Sequence, residues 1–441
     1  TGSDNVAIGK NALINSTVSS LVAIGTQALE SNTTGTNNLA IGTQGLLYNT
    51  TGSNNLAIGA SALANTTTGE YNLGIGFKSL FDNTTGSNLL AIGALALENN
   101  TTGTSNAAIG SFALSSNTTG ESLTAIGNQA LQNNTTGSRN TAIGTYALGD
   151  LTTGNNNIAI GGFALQNATT ATGNNAIGVG SLNNHITGNG NAGNGQNTLY
   201  SNRTGAFNTA MGSVSLRSNV IGSNNTAVGR EALRDSTSII ASLGAITPGS
   251  GYTDGTYTAV TLVPDNDSWW TNPTVTLVVA GGVVTTATLV GAGIGMVAGA
   301  TLTIDTSVAA AGLLTGSGFS IPVSTVTTGI TNTALGYQAG LTNQTGSRNL
   351  FLGYQAGSNE TTDDNLYISN TNTATPLIKG KFDSAGGNAG SVRVYGDLQL
   401  TTKTPASASA TGTVGTITYD TDYIYICTAT DTWKRVAIST W

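Results

Sequence analysis

The sequence predicts an all-β chain: a parallel β-solenoid, or β-roll, of 17-residue repeats, with an inserted β-rich module and a C-terminal β-meander knob. The first observation behind this is the period. Aligned on the Ile of Asn38-Leu39-Ala40-Ile41-Gly42, one position recurs at residues 8, 24, 41, 58, 75, 92, 109, 126, 143, 160, 177, 194, 211 and 228, and returns at 335 and 352. The second is what the copies share. The following residue is Gly in all sixteen, the preceding one is Ala in thirteen, and Leu lies five residues later in fourteen. Asn stands three before in thirteen and Gly six before in fourteen. The third is the gap of 107 residues after 228, one period plus 90, which marks a module spliced into one repeat.

Residues 1–235 read as the repeat rod. The consensus G-x-x-N-x-A-I-G-x-x-A-L-x-x-N-T-T holds two short apolar stretches separated by turn residues. Neither is long enough for a helix, so two strands of roughly four residues per repeat are expected. One repeat carries too few apolar side chains to fold alone, and stacking the copies buries a continuous column. The column is carried by residues such as Ile41, Ile58, Ile143, Leu97 and Leu165. The invariant Gly42, Gly59 and Gly144 imply a positive φ or a backbone packed on its neighbour. Equivalent Asn residues are expected to form amide ladders. At ~4.8 Å per coil the uninterrupted coils make a rod of roughly 65 Å. In Leu39-Ala40-Ile41 the side chains alternate between faces. A thin coil has room for one interior, so the repeated small Ala is expected to face a second, intermolecular one. That implies an oligomer about a cyclic axis; the alternative is a lone solenoid with an exposed Ala face.

Residues 236–328 break the period and are rich in alternating Val and Thr, as in Thr274-Val275-Thr276-Leu277-Val278-Val279. Ala280-Gly281-Gly282 is a hairpin signal, and six to eight strands are expected. Trp269 and Trp270 lie beside Asp265, Asn266 and Asp267, with Tyr252 and Tyr257 nearby. Rings that stack on sugar faces beside groups that take hydroxyls make a candidate glycan surface. The other reading places one Trp in the module core and one against the rod. Residues 329–370 are returning repeats, with Leu lost to Gly at Gly340 and Gly357, and a capping coil at Asn365-Leu366-Tyr367-Ile368-Ser369. Residues 371–412 read as transition and linker. Residues 413–441 read as a three-stranded meander, too small to stand alone and expected to self-associate.

Composition narrows the chemistry. Charged residues are 8% of the chain, the net charge is −7, and no Lys/Arg cluster suggests a nucleic-acid surface. One Cys (Cys427) and one His (His185) leave no basis for an intrachain disulfide, a Cys/His metal site or a His-dependent triad. No cofactor or metal is expected. His185 reads as a solvated turn residue and Cys427 as a small buried hydrophobe. No apolar run is long enough for a transmembrane helix. The chain opens inside the repeat at Thr1-Gly2-Ser3, so an anchor upstream of residue 1 is expected.

The repeat, as in Asn140-Thr141-Ala142-Ile143-Gly144-Thr145-Tyr146-Ala147, resembles the head repeats of trimeric autotransporter adhesins of the YadA type. The longer form with Asn-Thr-Thr-Gly turns looks like repeats in tail fibres of tailed bacteriophages. Gly249-Ser250-Gly251-Tyr252-Thr253-Asp254-Gly255-Thr256-Tyr257 and Val279-Ala280-Gly281-Gly282-Val283 are similar to β-modules of phage structural proteins. Tyr419-Asp420-Thr421-Asp422-Tyr423 with Trp433-Lys434-Arg435-Val436 resembles the ends of phage fibres. The resemblance implies a homotrimeric, extracellular fibre on a virion that attaches to a bacterial surface receptor, a glycan or a protein. The competing implication is a bacterial extracellular adhesin or filament subunit. An enzyme is not expected: the acidic pairs Asp265/Asp267 and Asp363/Asp364 read as turn residues. The sequons Asn32-Thr33-Thr34, Asn83-Thr84-Thr85 and Asn117-Thr118-Thr119 read as turn and ladder chemistry, or else as glycan acceptors.

Overall fold

The computed structural model describes residues 2–264, 272–291, 300–305, 317–373, 376–382, 391–394, 405–412 and 414–438. Fourteen strands of three residues, β1 (Val6–Ile8) to β14 (Thr226–Val228), stack in parallel, one per coil. Equivalent positions sit side by side. In β9 (Thr141–Ile143) and β10 (Ile158–Ile160), Ala142 pairs with Ala159 and Ile143 with Ile160. The insertion leaves this column intact. β22 (Thr333–Leu335) pairs directly with β14, Ala334 beside Ala227, and β23 (Leu350–Leu352) and β24 (Asn365–Ile368) continue it. β25 (Ile378–Lys381) and β26 (Ser391–Val394) then add antiparallel and complete a 19-stranded sheet.

Each coil contains one strand rather than the two expected. The Ala-Leu stretch turns a corner instead. In the coil of Ile143, Arg139, Tyr146 and Leu148 have φ of 57°, 56° and 52°, all left-handed. Each such residue costs roughly 1–2 kcal/mol. Hydrogen bonds to the adjacent coils hold them there: Leu148 N–H donates to Ala164 O at 3.0 Å and Tyr146 N–H to Asn128 O at 3.0 Å. The pattern of coil-to-coil bonding therefore continues around the corner without strand geometry. Both expectations for the invariant Gly hold at Gly144. Its φ is 132°, and a Cβ there would lie 2.6 Å from the carbonyl carbon of Gly161 in the next coil.

The Ala and Ile faces are reversed from the expectation. Ala142, Ala147 and Leu148 are fully buried inside the coil. Ile143 points outward, 37% exposed, and Ile41, Ile126 and Ile160 share that column. Alternation says only that the two side chains part. The width of the coil selects which goes in: with Leu97, Leu165 and their equivalents already inside, only a methyl group fits opposite. Ile58 and the other Ile residues of the motif thus belong to the outer surface, not to the interior column.

Two Asn ladders line the coil. In one, Asn55 Nδ2 donates to Gly69 O (2.9 Å), while Asn38 Oδ1 accepts from Asn55 N–H (2.9 Å). In the other, Asn117 Nδ2 donates to Asn100 Oδ1 (2.8 Å) and Gly120 O (3.1 Å). The sequon residues Asn32, Asn83 and Asn117 belong to this second ladder and are buried, with their Nδ2 atoms bonded inside the coil. The turn-and-ladder reading of those sequons is the one the fold satisfies.

The second ladder has breaks, and each leaves a trace. Asn49, Asn134 and Asn219 precede Thr66, Leu151 and Ser236, and their buried Oδ1 atoms lack a hydrogen-bond partner. His185 stands in the same ladder. It is buried rather than solvated as expected. With the proton on Nε2, the ring donates to Gly188 O and accepts from Asn202 Nδ2 at 3.3 Å. Burial pushes the imidazole below its ordinary value.

The loss of Leu at Gly340 and Gly357 has a steric cause. Phe351 takes the Ala position of β23 and is fully buried. A Cβ on either glycine would lie within 2.6 Å of its ring. One aromatic ring fills the volume of the missing leucines, a volume-conserving exchange.

The insertion forms a seven-stranded antiparallel sheet. Its strands are β15 (Ser238–Leu243), β16 (Thr247–Ser250), β17 (Gly255–Pro264), β18 (Thr274–Ala280), β19 (Val283–Gly291), β20 (Thr301–Ile304) and β21 (Ser317–Thr328). The expected hairpin forms at Gly281-Gly282, with φ of 65° and 76°, and Ala280 pairs with Val283. Among the described residues no helix is long and apolar enough to cross a membrane.

Two substitutions test the ladder. His185→Asn would replace the ring by the ladder's own amide. The unfolded imidazole takes a proton near 6.5 and the folded one only at lower pH, so stability is full above that value and is lost as pH falls below it. The melting temperature of the native chain should therefore fall more between pH 7 and 5 than that of the variant. Thr66→Asn would supply a donor to Asn49 Oδ1 and an acceptor to Asn83. It should raise stability by about 1 kcal/mol, read as a higher melting temperature.

Candidate functional site

The sequence-predicted aromatic and acidic cluster is divided by the structure. Asp265, Trp269, Trp270 and Asp267 lie outside the described residues. Tyr252 is in the module core, 6% exposed, and its hydroxyl accepts from Phe319 N–H at 3.2 Å. Its ring packs with Leu262, Leu277 and Ile321 and offers no open face for stacking. Tyr257 is half-buried against the same core, and its hydroxyl donates to Thr253 O at 2.9 Å. Both tyrosines brace the module. Nearby, Asp254 accepts from Gly282 N–H at 2.8 Å, and the backbone donors of Gly282 and Gly281 hold its carboxyl below the usual range.

The aromatic pocket that the structure does describe is at the C-terminal tip. β27 (Ile417–Tyr419), β28 (Tyr423–Ala429) and β29 (Thr432–Ala437) form the expected antiparallel meander. Asp420 sets its first turn, Oδ1 accepting from Asp422 N–H (2.9 Å) and Tyr423 N–H (2.8 Å). Its other oxygen accepts from Tyr425 Oη at 2.6 Å, a bond that raises the phenol above its ordinary value. The strand period then puts Tyr425 and Cys427 on one face, both buried.

Residues 405–412, expected as part of a linker, lie on that face instead. Trp433 joins them to the sheet: its backbone N–H donates to Ala408 O (2.8 Å) and its Nε1–H to Ala410 O (2.9 Å). Gly412 lies so close to the indole that a Cβ would sit 2.6 Å from the ring. The result is a pocket of about 500 Å³ bounded by Pro405, Ala406, Ser407, Ala408, Tyr425, Trp433 and Arg435. The Arg435 guanidinium lies 4.1 Å from the centre of the Tyr423 ring. Two aromatic residues, a cation and a wall of mixed polar and apolar groups can hold a small polar ligand by stacking and hydrogen bonds. The motif around Trp433 was legible in the sequence, but the contact with 405–410 was not, because no local pattern signals it.

The other face of the meander is apolar and exposed. Ile417 pairs with Ile426, and Ile424 with Val436.

The acidic pairs have structural partners where they are described. Arg348 holds Asp364 through Nε (2.6 Å) and Nη2 (2.9 Å), and Asp363 through Nη2 (3.4 Å). Among the described residues no group of three or more His, Cys, Asp or Glu side chains could hold a metal ion.

No family model matches the chain, and no solved structure matches it. Two bacteriophage proteins share a short stretch with it. One is a depolymerase of Klebsiella phage K64-1 named as specific for capsule K30/K69, 50% identical over 44 residues, 10% of this chain and 6% of that protein. The other is depolymerase 1 of Klebsiella phage K5-2, named with the same specificity, 50% identical over 40 residues, 9% of this chain and 5% of that protein. The chain thus spans only about a twentieth of the length of these relatives.

Proposed function

We propose that this chain is part of a bacteriophage tail fibre or spike, assembled as a homotrimer on the virion, that attaches to a glycan on a bacterial surface. The observation that carries the reading is the outward Ile column, repeated coil after coil along the rod. The column is Ile from Ile8 to Ile177, before Asn194 interrupts it, and at ~4.8 Å per coil that apolar stripe of roughly 50 Å is longer than a lone soluble chain ordinarily leaves in water. A cyclic arrangement of parallel rods covers it with its own copies. The exposed plate of Ile417, Ile424, Ile426 and Val436 does the same at the tip.

The short likenesses to phage depolymerases support a phage source and a glycan target over the bacterial adhesin or filament reading. The YadA-type resemblance of the repeat is consistent with the trimer. The likenesses to depolymerases, which are enzymes, weigh toward cleavage. We favour binding without cleavage on the engagement of Asp363 and Asp364 with Arg348, the pair Asp265 and Asp267 lying outside the described residues. The tip pocket and the segment around Trp269 and Trp270 are the two places proposed to touch glycan.

Light scattering of the purified chain should give three times the chain mass. Ile143→Asp should then lower both that mass and the melting temperature. In a lone rod the same exposed change would stay within about 0.5 kcal/mol of neutral. The purified protein should compete with phage for adsorption to host cells, and Trp433→Ala or Trp269→Ala with Trp270→Ala should weaken the competition. A single-chain mass would overturn the trimer, and release of reducing ends from host capsule would overturn binding without cleavage.

A further inference from the structure

We propose that the pocket at the capped end of the solenoid binds an oxyanion carried on a saccharide, such as the carboxylate of a uronic acid. This deepens the glycan reading above and rests on it for the saccharide, but not for the anion.

The site comes from the last turn of the rod. β24 ends the parallel stack, and β25 and β26 fold back against it. Their register sets Tyr367, Lys379 and Arg393 side by side across three strands, and Asn365 beside Lys381. Positions two apart share a face, so Lys379, Lys381 and Arg393 converge on one pocket. It measures about 350 Å³ and is lined also by Glu360, Thr362 and Gly380. Three of the chain's 14 basic residues meet here, in a protein whose net charge is −7.

Glu360 offsets one of the three positive charges, and its hydrogen bonds fix where that carboxylate sits. Its Oε1 accepts from Thr361 N–H (3.1 Å), Thr362 N–H (2.9 Å) and Thr362 Oγ1 (2.6 Å), and its Oε2 from Tyr367 Oη (2.9 Å). The carboxylate is thereby committed to the turn. Lys381 Nζ donates to the Asp363 carbonyl at 2.6 Å, which leaves its charge without a carboxylate in that contact. Lys379 Nζ lies 4.8 Å from the centre of the Tyr367 ring, and the ring itself is buried. Arg393 is exposed and forms no ion pair among the described residues.

Like charges directly opposite on paired strands destabilise a sheet, and Lys379 faces Arg393 in that way. An anion between them reverses the sign of the interaction. The guanidinium offers a planar fork that matches a carboxylate or phosphate edge. With the Tyr367 face covered, the pocket recognises charge rather than a sugar's apolar side.

The test uses the full chain and three probes in calorimetric titrations: a glucuronate-containing oligosaccharide, a neutral glucose oligosaccharide of equal length, and inorganic phosphate. The acidic oligosaccharide should bind more tightly than either of the others, and its affinity should fall as salt rises. Arg393→Gln and Lys379→Gln should each weaken it about tenfold, with Arg393→Lys restoring part of the loss. Unchanged melting temperatures separate this from misfolding. Equal binding of neutral and acidic sugars, tight binding of phosphate alone, or indifference to both Gln variants would overturn the proposal. Host-cell adsorption distinguishes the two readings: adsorption retained without acidic-sugar binding sinks the pocket alone. Acidic-sugar binding without any adsorption sinks the attachment function and leaves the pocket.

Discussion

Each coil of this protein is held by the backbone of the next, and the closeness of that contact governs everything else. The Gly after each strand faces the carbonyl of its counterpart one coil on, at a distance no side chain could share. The same approach brings amide to carbonyl all around the coil, including corners where leucines adopt left-handed backbone conformations. Those conformations would be costly in isolation. Here they are held from both sides, so local propensity yields to stacking. A change of period would misplace all the ladders at once, which is why a 90-residue module enters between coils without disturbing the register of β14 and β22.

The interior is narrow, and its filling is a matter of small differences in volume. Ala and Leu from successive coils make one apolar column, and Asn side chains take the polar corners. The breaks are informative. Where Thr66, Leu151 or Ser236 interrupts the ladder, the preceding amide oxygen is left without a partner. His185 enters the same column and partly mimics an amide, donating to Gly188 and facing Asn202. Phe351 shows the converse: a large ring is accepted because two glycines make room for it.

The candidate ligand sites lie where the repeat gives way to other structure. Along the rod, the polar groups inside the coil are largely satisfied by their neighbours above and below. At the capped end and the tip, strands turn antiparallel and bring together residues far apart in sequence. Trp433 thereby meets Ala408 and Ala410, and Lys379 is set between Tyr367 and Arg393.

The period determined the solenoid, the one-coil spacing and the place of the insertion, while local turn and alternation signals determined the Gly hairpin and the strands of the terminal meander. Such features are local or repeated, so composition and spacing carry them. Which face of the strand turns inward was not legible, because alternation is symmetric and only the closed coil selects Ala over Ile by size. The burial of His185 was hidden for a related reason: its neighbours in sequence form a turn, while its neighbours in space belong to the coils above and below. Tyr252 read as part of a candidate glycan surface with Trp269 and Trp270, yet the sheet closes over it. The pocket of Lys379, Lys381 and Arg393 gave no run of basic residues to notice, since antiparallel register, not sequence proximity, sets those charges together.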